Sequence, residues 1–76
     1  MIKIFSSDNC GWCTKLKAYF DSLRVEYDVI DVNESKENYD RLVRISEQTG
    51  IPVTIFDNGE VVVGFDKSKI DNILGV

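Results

Sequence analysis

The sequence predicts an α/β fold of element order β-α-β-α-β-β-α, a four-stranded mixed sheet flanked by three helices. Three observations predict it. Short runs of apolar, β-branched residues alternate with stretches whose apolar residues recur at helical spacing. Asp57-Asn58-Gly59-Glu60 divides two such runs with hairpin chemistry, because Asn-Gly tolerates the positive φ angles of tight turns. Cys10-Gly11-Trp12-Cys13 stands where the first strand gives way to the first helix, the setting of a two-thiol redox pair.

Residues 2–5 read as the first strand, with Ile2, Ile4 and Phe5 around Lys3. Ser6-Ser7-Asp8-Asn9 is loop chemistry, and several of these residues can cap a helix. The helix they open runs to about Leu23, with Trp12, Leu16, Phe20 and Leu23 on one face. Tyr27 to Val32 is a second strand, rich in β-branched and aromatic residues. Asn33 to Ser35 can cap a second helix, in which Tyr39, Leu42 and Val43 face the core and Asp40, Arg41, Arg44 and Glu47 face water. Gly50 is placed to end that helix. Ile51-Pro52 opens a strand over 53–56, and Val61-Val62-Val63 returns. Gly64-Phe65-Asp66 leads into a last helix with Ile70, Ile73 and Leu74 apolar. The first two strands pair in parallel through a right-handed crossover, and the last two form an antiparallel hairpin.

Length allows one domain, residues 1–76. A chain this small buries only about 60 % of its unfolded surface, or slightly more, and its 43 % hydrophobic content suffices for one modest core. A net charge of −4 argues against nucleic acid, whose binders carry basic patches. No apolar run approaches the length of about 18 residues that a membrane span needs. Met1 leads straight into strand residues, without a basic start and an apolar stretch, so no signal peptide is read. Two cysteines are too few for a secreted disulfide scaffold, and a reducing, cytoplasmic setting is expected. A monomer is expected.

The chemistry rests on Cys10 and Cys13. The thiolate, not the thiol, attacks disulfides, and a helix N-terminus stabilises it through its free N–H groups and dipole. Asp8 works against this charge, and Lys15 partly offsets Asp8. Cys10 is therefore the expected nucleophile, and Cys13, one turn in and more buried, the resolving thiol of a redox-active disulfide. A structural disulfide is the plain alternative, yet a bridge across two residues closes too small a loop to constrain the unfolded chain much. Cys-x-x-Cys is also half of a four-ligand zinc site. The chain has no His and no third Cys, so a complete site would need a second subunit or an external thiol, and no bound metal is expected. Trp12 reads as an anchor for its helix, Pro52 as the start of an edge strand and Asp66 as the N-cap of the last helix.

A Cys-x-x-Cys after the first strand, an Ile51-Pro52 before the third and a Gly64-Phe65-Asp66 before the last helix, in this order, resemble a glutaredoxin of the thioredoxin superfamily over nearly the whole chain. The length is similar to that of the smallest glutaredoxins and of the redoxins that serve ribonucleotide reductase. Gly50-Ile51-Pro52 and Asn58-Gly59-Glu60-Val61 also resemble thioredoxin, whose Trp-Cys-Gly-Pro-Cys is absent. Three departures stand out. Gly11-Trp12 replaces the usual Pro-Tyr, Ser7 stands where many glutaredoxins have a lysine that holds a glutathione carboxylate, and Val63-Gly64 replaces a glycine pair.

The resemblance implies a thiol-disulfide oxidoreductase that reduces protein disulfides or glutathione mixed disulfides, with glutathione as co-substrate. It places Trp12 beside the site, partly exposed and flanking the substrate. It implies that Pro52 is cis and faces the cysteines, leaving the Ile51 backbone free to pair with a bound peptide or glutathione. Gly64, Phe65 and Asp66 would receive the γ-glutamyl end of glutathione, the carboxylate at the helix N-terminus and the ammonium on the Asp66 side chain. Arg41 or Arg44 would reach its glycyl carboxylate. Two alternatives come with the family. One is an electron donor dedicated to one enzyme, such as ribonucleotide reductase or a peroxidase, and reduced by thioredoxin reductase. The other is a glutathione-dependent [2Fe–2S] carrier, which glycine after the first cysteine suggests.

Overall fold

The computed structural model describes residues 1–76. Seven elements follow the expected order: β1 (Ile2–Ser6), α1 (Gly11–Ser22), β2 (Tyr27–Asp31), α2 (Lys36–Ser46), β3 (Val53–Ile55), β4 (Val61–Val63) and α3 (Lys67–Leu74). They form a four-stranded sheet of order β2-β1-β3-β4. β1 runs parallel to β2, with Ile2 opposite Tyr27 and Ser6 opposite Asp31. It runs antiparallel to β3, with Phe5 opposite Val53, and β3 pairs antiparallel with β4, Val53 opposite Val63.

β1 is a central strand covered on both faces. Alternation sends Ile2 and Ile4 to one side and Phe5 to the other. Ile2 and Ile4 join Leu16 and Phe20 of α1, Phe56, Val62 and Ile70 of α3 in one core cluster. Phe5 and Val53 meet Leu42 of α2 and Val32 in the second. Ile4, Phe5 and Ser6 are consequently buried in succession, and only Lys3 interrupts the run. Two-sided cover of this kind produces near-continuous burial instead of strict alternation.

Three readings are corrected. α2 is capped by Ser35, whose Oγ accepts from the Asn38 N–H at 3.1 Å, but it does not end at Gly50. Glu47 takes the left-handed conformation at φ 56°, and its N–H closes the helix on the Val43 carbonyl at 2.8 Å. Gly50 serves a close approach instead: its N–H and C=O are gripped by the Gln48 side-chain amide, and a Cβ there would lie 2.8 Å from Gln48 Oε1. Tyr39 is exposed rather than facing the core. Arg41 is half-buried, with its guanidinium 5.8 Å from the Phe5 ring centroid, because α2 lies across β1. The hairpin loop is Asp57-Asn58-Gly59, with the Gly59 N–H donating to Phe56 and the Phe56 N–H to Glu60. Within this loop only Gly59 has positive φ, at 89°, and the expected antiparallel hairpin closes through three residues.

Candidate active site

Cys10 is itself the N-cap of α1. Its backbone is extended, its carbonyl accepts from the Thr14 N–H at 3.1 Å, and its Sγ accepts from the Cys13 N–H at 3.1 Å. None of residues 6–9 takes that role. Ser6 is still in β1, opposite Asp31, so the chain turns into helix only at Gly11. The cap position aims a backbone N–H at sulfur, and a thiolate there gains both that bond and the helix dipole. The first turn of α1 holds no acidic residue to oppose it.

Cys10 and Cys13 are joined by a disulfide, with their Cα atoms 5.2 Å apart. Their surroundings differ sharply. Cys10 is half-exposed, whereas Cys13 is 0 % exposed. Cys13, Leu16 and Phe20 are the buried residues of α1, spaced i, i+3 and i+7 along the stripe that faces the sheet. Trp12 lies one residue off that stripe, about 100° around the helix. It is therefore 59 % exposed instead of sharing a face with Leu16 and Phe20.

Trp12 forms one wall of a cleft of about 300 Å³, which Ile51, Pro52, Gly64 and Phe65 complete. The sheet order makes this possible, since β1 and β3 are antiparallel neighbours and β3 begins on the side where β1 ends. The Ile51–Pro52 peptide is cis. The Pro52 carbonyl accepts from the Gly64 N–H at 2.7 Å, which ties the entry to β3 to the exit from β4. Gly64 has φ 78°, and no atom lies within 4 Å of where its Cβ would be, so glycine serves the backbone conformation and not a close contact. Neither the N–H nor the C=O of Ile51 makes a hydrogen bond within the chain. Phe65 stands edge-on to Trp12, with ring centroids 6.5 Å apart, and Lys15 Nζ lies 4.6 Å over the Trp12 ring. A larger cleft, about 380 Å³ between β4 and α3, is lined by Glu60, Val61, Val62, Lys69, Asn72 and Ile73.

Asp66 is the N-cap of α3, its Oδ1 accepting from the Lys69 N–H at 3.2 Å. Behind Phe65 lies a cluster that sequence reasoning missed. The Tyr19 hydroxyl donates to Asp71 Oδ1, Lys67 Nζ pairs with Asp71 Oδ2 at 2.8 Å, and Lys67 also sits 5.2 Å over the Tyr19 ring. The Lys67 ammonium, then the Tyr19 hydroxyl, hold the Asp71 carboxyl below its ordinary range. Asp71 in turn raises both Tyr19 and Lys67. Lys67 and Asp71 are an i, i+4 pair legible on a helix. Tyr19 lies 52 residues from Asp71, and no local pattern joins them.

A sheet of this order, with a disulfide capping the helix after its central strand and a proline loop opposite, is that of a thioredoxin-like protein. Residues 2–62 match the sequence profile of the glutaredoxin family, and the chain belongs to that family. An 8.6 kDa glutaredoxin-like protein of the rubredoxin operon of Clostridium pasteurianum is 35 % identical over 74 residues, covering 97 % of each chain. Among solved structures, a point mutant of the thioredoxin-like protein BC3987 superposes with a TM-score of 0.88 at 26 % identity, covering 97 % of this chain and 99 % of the other. The glutaredoxin of Methanosarcina mazei Go1 superposes with a TM-score of 0.84 at 28 % identity, covering 99 % of this chain and 78 % of the other.

Proposed function

We propose that this protein is a thiol-disulfide oxidoreductase that reduces protein disulfides and mixed disulfides with glutathione, as a cytoplasmic monomer. The observation that carries the reading is the asymmetry of the two sulfurs: Cys10 half-exposed at a helix cap, Cys13 sealed beneath it. The Cys10 thiolate attacks one sulfur of the substrate disulfide. A Cys10–substrate bond forms, and the other substrate sulfur leaves as a thiolate that takes up a proton. Cys13 loses its proton and attacks Cys10, which forms the Cys10–Cys13 disulfide and releases the second substrate thiol. Two electrons pass from the protein dithiol to the substrate. Two glutathione molecules return them, becoming glutathione disulfide.

Trp12, Pro52 and Phe65 provide the apolar cleft, and the free Ile51 N–H and C=O pair with an extended partner backbone. The N-terminus of α3, with Gly64 and Asp66, receives the γ-glutamyl end of glutathione. Ser7 supports a second reading. Without a cation there, one charge-assisted contact to glutathione is missing, which favours a redoxin dedicated to one enzyme and re-reduced by a flavin-containing thioredoxin reductase. Disulfide reduction coupled to NADPH oxidation, run with glutathione and glutathione reductase or with thioredoxin reductase, tests both. Turnover in the glutathione arm supports the first reading, and turnover only with thioredoxin reductase supports the second. Turnover in neither arm overturns the assignment as an oxidoreductase.

A further inference from the structure

Trp12 and Tyr19 are seven residues apart, two turns along one side of α1. Phe65 reaches that side from the β4–α3 corner and stands between them, 6.5 Å from the Trp12 ring and 5.6 Å from the Tyr19 ring, centroid to centroid. Phe65 is held at both ends by its neighbours, Gly64 at φ 78° and Asp66 as the cap of α3. Its place in the cleft therefore depends on how α3 sits.

α3 has eight residues, too short to be stable in isolation. Ile70 is its one fully buried residue. Ile73 and Leu74 pack half-buried against the same core cluster, so apolar contacts set the depth of α3 and its polar contacts to α1 refine its roll. The hydrogen bond from the Tyr19 hydroxyl to Asp71 is the one side-chain hydrogen bond between α1 and α3, and it joins the residue next to Ile70. Lys67, bonded to the other Asp71 oxygen and lying over the Tyr19 ring, closes the triangle.

We propose that Tyr19 is a positioning residue for the cleft: through Asp71 it sets the roll of α3 and so holds Phe65 against Trp12 as a wall of that cleft. The proposal rests on the reading of that cleft as the disulfide-binding site. The hydroxyl, not the ring, is the operative group, so Tyr19→Phe isolates it while keeping the contact with Phe65. Asp71→Ala removes the same link from the other side, and Asp71→Asn keeps the shape of Asp71 while losing the Lys67 ion pair.

Two readouts test this. The first is acrylamide quenching of Trp12, the only tryptophan, in oxidised protein. The second is kinetics on a synthetic peptide carrying one intramolecular disulfide. Tyr19→Phe is expected to raise the quenching constant about 1.5- to 2-fold and the apparent KM about 3- to 10-fold, as expected for loss of one hydrogen bond. The rate at which iodoacetamide alkylates Cys10 should stay within about twofold, since Tyr19 lies far along α1 from the cap at Cys10. Tyr19→Phe/Asp71→Ala should be no worse than the worse single variant, because both remove one link. A lowered melting temperature with unchanged quenching and KM marks a merely structural bond and overturns the proposal, as do additive effects in the double variant. If the wild-type protein does not reduce the peptide, the oxidoreductase reading fails, and quenching alone still decides whether Tyr19 positions Phe65.

Discussion

Burial of Cys13 makes the two thiols unequal in a way that can be calculated. In reduced protein, a small alkylating agent reaches Cys10 directly. To reach Cys13, which is 0 % exposed, the first turn of α1 has to open. Opening breaks the Thr14 N–H bond to the Cys10 carbonyl and the Cys13 N–H bond to Cys10 Sγ. Each contributes about 0.5–1.5 kcal/mol net, so the opening costs about 1–3 kcal/mol before Cys13's own burial is counted. At 1.4 kcal/mol per decade, that slows Cys13 about 5- to 150-fold. Stabilisation of the Cys10 thiolate at the cap widens the gap further. The assay is the iodoacetamide rate at neutral pH on Cys13→Ser, which reads Cys10, and on Cys10→Ser, which reads Cys13, each followed by mass spectrometry. Equal rates, or faster labelling of Cys13, would refute the division of roles.

Ser7→Lys restores the missing cation, and should lower the apparent KM for a glutathionylated substrate. One charge-assisted hydrogen bond contributes about 1.5–3 kcal/mol, or about 10- to 150-fold, as an upper range for this half-exposed position. Asp66→Ala should raise that KM while leaving Cys10 alkylation nearly unchanged. Trp12 emission should differ between oxidised and reduced protein, since its neighbours in sequence are the sulfur loop, and identical spectra would argue against its place at the site. The Tyr19–Asp71–Lys67 cluster sets a pH window. The depressed Asp71 carboxyl stabilises the fold above the ordinary carboxylate value, about 4, and this is lost as pH falls through the lower native value. Lys67 and Tyr19, both raised, stabilise below about 10 and lose this as pH rises through their native values. The stability gap between wild type and Asp71→Asn, measured by urea unfolding, should be flat between pH of about 5 and 9 and shrink at either end. A gap that widens in acid contradicts it.

Element order, sheet pairing of neighbours and the helix carrying the cysteines were legible because each rests on local spacing. What escaped has identifiable causes. Helix ends depend on backbone conformation that glycine does not monopolise: Arg24, at φ 57°, and Glu47, at φ 56°, both take the left-handed region, and the Arg24 and Val25 N–H groups close α1 on Asp21 and Phe20. Capping of α1 by Cys10 escaped because Ser7, Asp8 and Asn9 offer better caps in isolation, while the buried pairing of Ser6 decides where the strand ends. Trp12 is apolar and adjacent to the inward stripe, so composition alone cannot say which side of the boundary it takes. Arg41 looked like a surface charge because nothing local marks the Phe5 ring beneath it. Tyr19 and Asp71 come together only when α3 folds back over α1.

The most direct test of the central claim is to trap the covalent intermediate. Cys13→Ser, reduced and mixed with oxidised glutathione or with a disulfide peptide, should form one stable mixed disulfide, located on Cys10 by peptide mass mapping. Cys10→Ser treated identically should form none on the time scale of that reaction. A stable adduct on Cys13 in Cys10→Ser, with none on Cys10 in Cys13→Ser, would contradict the account.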